Sequence, residues 1–220
     1  MAKRKLQQYA EVNTFSNVIQ PSYDLVQKGH PLRGNWAQNH FHNDHPIVLE
    51  LGCGKGEHTI DLAEKYPEKN FIGVDLKAAR IWTGSKYALE NDLANVAFLR
   101  IDIRALHQLF DQDEVDEIWI TFPDPQPKAP HAKKRLTNPR FLNRYRELLK
   151  PGGFVHLKTD NLAFHEYTVE VLGEMDIEIL DITRDLYKDV GFAEAGAVQT
   201  FYEKKFLAEG LPITYVKFRM

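Results

Sequence analysis

Three glycines and a series of carboxylates stand at intervals that suit the handling of a nucleoside. Gly52, Gly54 and Gly56 follow the apolar run Val48-Leu49-Glu50-Leu51, and Asp75 closes a second apolar run that begins at residue 70. Glycines separated by single residues let the backbone turn sharply and come close to a ligand, because a Cβ would block positive φ or the contact itself. A carboxylate at the end of the second run suits the paired hydroxyls of a ribose. Plain structural turns also use glycine, but they have no need of an acid on either side.

The spacing separates one class of nucleoside from another. A dinucleotide fingerprint would place its third glycine at position 57, where this chain has Glu57. Glu50 and Glu57 would also repel the pyrophosphate that a helix N-terminus otherwise welcomes. A cofactor without phosphate, whose sulfonium and amino groups are cationic, turns these acids from a liability into an asset. S-adenosylmethionine has that chemistry.

The elements that must carry these residues are legible from periodicity. Strand-like runs at 47–51, 70–75, 96–101, 116–121 and 153–158 alternate with helical stretches near 55–66, 78–91, 138–149 and 162–173. Two later runs, 177–183 and 213–219, with a helix near 201–208 between them, supply an antiparallel hairpin at a sheet edge. The expected fold is α/β, a doubly wound and mostly parallel sheet of seven strands. Residues 1–45 hold Pro21, Gly29, Pro31 and Gly34 without sustained periodicity, and read as a partly irregular arm with one short helix ahead of a single domain at 46–220.

Composition sets the outer limits. A chain of 220 residues that is 43% apolar buries one α/β core and does not require a second. The net charge of −3 excludes a globally basic nucleic-acid binder but not a basic face. Met1 to Ala10 is basic and lacks an apolar core, so no signal peptide is expected, and no run approaches the ~18 apolar residues of a membrane span. No membrane partner is therefore expected, and the cytoplasm is the expected compartment. The lone Cys53 excludes an internal disulfide; within the glycine loop it reads as a small buried residue rather than a nucleophile.

Ligands of open α/β sheets sit beyond the carboxyl ends of the strands, and there the chain repeats one residue type: Asp75, then Asp102, Asp124 and Asp160. Asp102 suits an adenine amino group, completing a three-acid grip with Glu50 and Asp75, although Asp102 and Asp160 taken singly also fit helix caps. Asp124 sits within Phe122-Pro123-Asp124-Pro125-Gln126-Pro127-Lys128, where the prolines are expected to drive Phe122, Asp124 and Gln126 toward extended backbone and to orient the acid. Lys128, His131, Lys133, Lys134 and Arg135, followed by Arg140, Arg144 and Arg146, concentrate positive charge beside that exit. Such a run is either solvated surface or the docking face of a polyanion. Thr200-Phe201-Tyr202-Glu203 reads as a helix capping box.

Together these stretches resemble the bacterial tRNA (guanine-N7)-methyltransferase family, whose members have the Rossmann-like class I S-adenosylmethionine-dependent fold. The resemblance is carried by Glu-Leu-Gly-Cys-Gly-Lys-Gly, Phe71-Ile72-Gly73-Val74-Asp75, Phe122-Pro123-Asp124-Pro125, Lys133-Lys134-Arg135, Leu149-Lys150-Pro151-Gly152-Gly153, Thr159-Asp160 and Thr200 to Glu203. It implies that Glu50, Gly52, Gly54, Gly56, Asp75 and Asp102 hold the cofactor, with Asp124 shared between cofactor and catalysis. It also implies that Lys128, Asp160, Thr200, Phe201, Tyr202 and Glu203 hold the guanine nucleotide, that Lys133, Lys134 and Arg135 touch the RNA, and that the target is guanosine 46 of the tRNA variable loop. Gln126 stands where the family usually has tryptophan, and Phe201 where it has lysine. Nitrogen-7 of guanine carries an in-plane lone pair, so no His or Cys base is needed, and alignment with charge compensation becomes the task.

Two rival readings come from other classes. His40-Phe41-His42-Asn43-Asp44-His45 spells the H-x-H-x-D-H of metal-dependent hydrolases, but a polar arm precedes it where that motif would follow a strand, and loop histidines without a metal are expected. A non-catalytic RNA-binding module on the same fold would have no chemical reason to keep the acids. Both a monomer and a homodimer are compatible with the sequence.

Overall fold

The computed structural model describes residues 2–220, with side chains from residue 5 onward. Its centre is a sheet of eight strands: β1 (Val18–Ile19), β2 (Ile47–Leu51), β3 (Asn70–Val74), β4 (Val96–Leu99), β5 (Val115–Thr121), β6 (Leu149–Thr159), β7 (Ile179–Thr183) and β8 (Thr214–Arg219). They lie in the order β1-β4-β3-β2-β5-β6-β8-β7. The first five pairings run parallel, and at the far edge β8 enters antiparallel between β6 and β7. Every residue of β2, β3 and β4 is buried, as expected of parallel strands covered on both faces.

Alternate residues of these strands feed two cores. Leu49, Leu51, Ile72, Val74, Ile118 and Ile120 pack on one face against α5 (Pro139–Leu148) and α6 (Leu162–Glu174). Val48, Phe71, Phe98 and Trp119 pack on the other against α3 (Glu57–Lys65), α4 (Ala78–Glu90) and the chain from Leu186 to Leu207. Period-two alternation therefore sorts Val48 and Leu49 to opposite layers.

The seven expected strands are all present, with ends shifted by a few residues. The first 45 residues are a correction: they hold α1 (Ala2–Val12), β1, α2 (Tyr23–Lys28) and a π-helical turn at Ala37–Phe41. Long-range partners, not local periodicity, create this order. α1 packs on α4, where Glu11 accepts the Trp82 indole N–H at 2.7 Å. The carbonyls of Asn17 and Ile19 accept the amides of Phe98 and Arg100, which makes β1 an eighth strand too short to leave a pattern. Trp36 is fully buried, stacked on Phe110 at 5.1 Å, with its indole N–H donating to the Leu109 carbonyl.

One contact sets the strand ends against the helices. A Cβ added at Gly56 would lie 2.5 Å from the Phe98 ring, at Gly73 2.9 Å from it, and at Gly84 2.6 Å from the Lys55 carbonyl and 2.7 Å from the ring. Only glycine lets β3, α3 and α4 close around Phe98. Gly84 has ordinary helical backbone, so Gly84→Ala tests packing alone: it is expected to cost about 1–3 kcal/mol of stability in urea titration, despite alanine's higher helix propensity.

Candidate active site

The first strand exit builds a cradle. After β2 the amides of Gly52 and Cys53 both donate to the Val74 carbonyl, at 2.8 and 3.0 Å, which folds the loop back over β3. Gly52, Gly54 and Gly56 have φ of 82°, 58° and 77°, a region that L side chains rarely occupy. A Cβ on Gly52 or Gly54 would meet nothing within 4 Å, so these two form a bare crest over open space. Asp75, buried at the next exit, fixes the crest: Oδ2 accepts the Gly54 amide at 3.1 Å and Oδ1 the Lys77 amide at 2.8 Å.

Below the crest runs a groove of about 730 Å³, lined by Gly52, Asp75 and Asp102 and walled by Lys133, Lys134 and Arg140. Asp102 caps the 3-10 turn at Ile103–Gln108, and its carboxylate also accepts Arg104 Nε at 2.9 Å and Nη2 at 2.5 Å. The Arg104 hydrogen bonds hold the Asp102 carboxyl below the usual range, so it is an anion at neutral pH. Arg104 is a member of this site that the sequence did not mark.

A second, smaller cavity of about 140 Å³ begins on the other side of Gly52 and is lined by Glu50, Thr121, Thr200, Phe201 and Tyr202 among others. Glu50 is the fourth residue of β2 and is buried, with one oxygen accepting the Thr59 hydroxyl and the other the Thr121 hydroxyl at 2.6 Å. Burial pushes its carboxyl up to about 7, against the downward pull of the two hydroxyls. His58 stands beside it, Nδ1 4.0 Å from Glu50 Oε1, fully enclosed and with neither ring nitrogen hydrogen-bonded; burial keeps the imidazole neutral. Cys53 is buried in the same wall, and burial, with Glu50 and Asp75 nearby, pushes its thiol well up, away from nucleophilic use.

The fourth exit departs from expectation. Phe122 and Gln126, each followed by proline, have φ of 47° and 46°, left-handed rather than extended. Proline disfavours the right-handed helical region for its predecessor, and tertiary contacts here select left-handed rather than extended backbone. The Phe122 amide donates to the Lys158 carbonyl at 2.9 Å while its ring meets Phe206 at 5.8 Å. The Gln126 carbonyl accepts both Nε and Nη2 of Arg135 at 3.2 Å. Asp124 between them is exposed, its Oδ1 accepting the Gln126 amide at 3.0 Å, and it lines neither cavity.

The remaining candidates divide by exposure. Lys128, Lys133 and Lys134 are exposed at the 3-10 turn Ala129–Lys134, whereas Arg135 is half-buried, with its guanidinium 4.2 Å from the Tyr167 ring. Asp160 is half-buried and does not cap α6; Asn161 does, through its hydrogen bond with the Phe164 amide at 2.8 Å. Burial raises the Asp160 carboxyl. After the short α7 (Ala193–Gly196), Thr200 and Glu203 form the expected capping box at the start of α8 (Phe201–Ala208). Phe201 and Tyr202 are each 56% exposed beside the smaller cavity, but the Glu203 side chain is fully buried and engaged with Lys158, Tyr187 and the Thr200 amide. The histidine motif gives a different picture: His42 Nδ1 lies 3.0 Å from the Gln38 carbonyl, and among the described residues no three His, Cys, Asp or Glu side chains converge as metal ligands.

Gly52 is thus the hinge between a groove holding Asp75 and Asp102 and a pocket holding Glu50 and the Thr200 turn. Residues 44–216 match a family model described as a putative methyltransferase. The tRNA (guanine-N(7)-)-methyltransferase of Christiangramia forsetii is 51% identical over 221 aligned positions, covering 100% of this chain and 99% of that protein. The chain belongs to the tRNA (guanine-N7)-methyltransferase family. Its relative in Porphyromonas gingivalis, with the same name, is 48% identical across 94% of this chain and 86% of its own. The crystal structure of the 16S rRNA methyltransferase KamB superposes with a TM-score of 0.63 over 92% of this chain and 95% of that one; at 14% identity it shows the methyltransferase fold alone.

Glu50 ties this family member's stability to pH. An unfolded glutamate releases its proton near 4.5, whereas Glu50 keeps its proton until about 7. Between those values the folded state binds a proton that the unfolded state has lost, so this group's contribution falls as pH rises, by on the order of 3 kcal/mol. Urea titrations at pH 5 and pH 8 are expected to show Glu50→Gln gaining stability relative to the wild type at the higher pH; a constant difference contradicts the assignment.

Proposed function

We propose that this protein transfers a methyl group from S-adenosylmethionine to nitrogen-7 of a guanine in tRNA, guanosine 46 of the variable loop, in the cytoplasm. The meeting of two acid-bearing cavities at Gly52 carries this reading, together with the family to which the chain belongs. Residues 46–220 act as the methyltransferase domain, with residues 1–45 as its arm.

The donor set fits the cofactor. Each Asp75 oxygen has one described hydrogen bond, leaving acceptor capacity for ribose hydroxyls, and Asp102 offers an anionic acceptor in the same groove for an adenine amino group. The bare crest at Gly52 and Gly54, with Gly56 behind it, admits close backbone approach. Glu50 lies in the adjoining pocket, where a cationic ligand favours its ionised form. When bound, S-adenosylmethionine would supply an electrophilic methyl to the in-plane lone pair of guanine N7, the C–S bond breaking and the sulfur leaving as a neutral thioether.

The chain's own part is alignment and charge. Asp124, exposed between the left-handed Phe122 and Gln126, accepts the N–H groups of the guanine Watson–Crick edge and offsets the positive charge left on the methylated ring. Lys128, Asp160 and the Thr200–Glu203 turn, through exposed Phe201 and Tyr202, hold the nucleotide. Lys133, Lys134 and Arg135 serve the tRNA backbone, offsetting the few kcal/mol needed to unstack a base.

Incubation of the protein with labelled S-adenosylmethionine and unmodified tRNA, followed by nucleoside analysis, is expected to yield 7-methylguanosine; methyladenosine or no product refutes the reading. Asp124→Ala is expected to lower single-turnover rates by about a hundredfold while calorimetry finds cofactor affinity unchanged, and wild-type rates would remove Asp124 from the mechanism. Lys133→Glu with Lys134→Glu is expected to raise the tRNA KM about tenfold at low salt, with a shallower salt dependence than the wild type.

A further inference from the structure

Lys158 joins the two chain segments that flank the smaller cavity. Its side chain is fully buried in β6, and its Nζ lies 2.6 Å from Glu203 Oε1 while donating to the carbonyls of Ala195 and Val198 at 2.9 and 3.0 Å. All three ammonium protons thus have a partner. The backbone carbonyl of the same residue accepts the Phe122 amide at 2.9 Å. One residue therefore fixes where the Asp124 loop starts and where the 195–203 stretch lies.

Glu203 completes the tie from the other side. Oε1 also accepts the Tyr187 hydroxyl at 2.7 Å, and Oε2 accepts the Thr200 amide at 3.3 Å. The carboxylate is 0% exposed, so the acid that the family resemblance assigns to the nucleotide is committed to the protein interior. Phe201 and Tyr202, which follow the capped Thr200, face outward instead.

An apolar pair of similar size often supports a fold as well as a buried ion pair does, because removing two charges from water costs as much as their attraction returns. Stability alone does not call for charges here. What the charges add is directional: four hydrogen-bonding partners from Tyr187, Ala195, Val198 and Thr200 converge on two side chains and leave the segment a single placement. We propose that Lys158, Glu203 and Tyr187 are positioning residues that set the slot between the Phe122–Asp124 loop and the Thr200–Tyr202 turn, into which the target guanine enters. None of the three lines either cavity, so they act through Phe122, Thr200, Phe201 and Tyr202. This inference rests on the functional reading above and deepens it.

The test is Lys158→Met combined with Glu203→Leu, which removes both charges without leaving one buried alone. The double variant leaves the Ala195 and Val198 carbonyls and the Thr200 amide without these partners, so it is expected to melt below the wild type, yet to bind S-adenosylhomocysteine at full stoichiometry with a Kd within about twofold, since the cofactor groove is untouched. Its kcat on tRNA is expected to fall about tenfold or more with tRNA KM changed less than about threefold, because alignment in the slot is lost while phosphate contacts remain. A merely structural pair would instead lower the cofactor-binding stoichiometry and kcat in step. Tyr187→Phe, which keeps the ion pair and loses one hydroxyl, is expected to show the same pattern at about threefold, and provides the decision if the double variant does not fold. Wild-type kcat in the folded double variant, or in Tyr187→Phe where that decides, overturns the proposal. Absence of 7-methylguanosine with the unaltered protein overturns the functional reading instead.

Discussion

The ring of Phe98 closes the space between three glycines, and the site depends on that closure. Gly73 stands directly across the ladder from Glu50, and a Cβ there would lie 2.9 Å from the Thr59 hydroxyl as well as from the ring. Its absence leaves Thr59 room to reach the Glu50 carboxyl from the first turn of α3. Gly56 and Gly84 bring that turn against α4 at the same point, so the crest of Gly52 and Gly54 rises over the groove rather than into it. A packing contact between an aromatic ring and missing side chains therefore decides which hydroxyls surround a carboxylate, and through them its proton affinity.

The parts of this arrangement that were legible in the sequence are those written in local pattern. Continuous apolar runs gave the parallel strands, the Thr-x-x-Glu spacing gave the α8 cap, and the glycine loop with Asp75 gave the first cradle. Residues whose roles depend on distant chain left no such mark. Asp102 caps its turn while Asp160 yields that role to Asn161, although both follow strands in the same way. Phe122 and Gln126 take left-handed backbone because a carbonyl in β6 and a guanidinium after the loop reward it. β1 has two residues and becomes a strand only because β4 offers it an edge.

β5 and β6 show why alternation alone misleads. Glu117, Trp119 and Thr121 alternate with apolar residues, as do His156 and Lys158, a pattern that ordinarily marks a solvent-facing side. That side is instead covered by the chain between β7 and β8, and its polar groups are matched to one another. The His156 ring stacks on its ladder partner Trp119 at 4.0 Å, with Nδ1 2.8 Å from the Tyr215 hydroxyl. Burial would raise the Glu117 carboxyl, but His156 and Lys69 pull it down to about 2. Two residues further along the ladder, Thr121 opposite Lys158 brings this buried layer to the wall of the smaller cavity. The sheet thus passes from polar core to cavity wall along one face.

A cationic donor and a polyanionic acceptor ask for opposite fields, and a net charge of −3 conceals that the chain carries both kinds of cluster. The acids come singly, one at each of several strand ends, and Glu50 and Asp75 are nearly enclosed, so they act at short range where solvent screens little. The cations come together between β5 and the end of α5, and Lys133, Lys134 and Arg140 stand exposed, where their reach is cut to a Debye length of roughly 8–10 Å. Arg104 belongs to neither group: paired with Asp102, it keeps that acid ionised within a groove whose other wall is basic. Chain order sets the two charges apart and the fold brings them back together: Asp75 and Asp102 precede β5, Lys133, Lys134 and Arg140 follow it, and all five line one groove, with Asp124 between them in sequence.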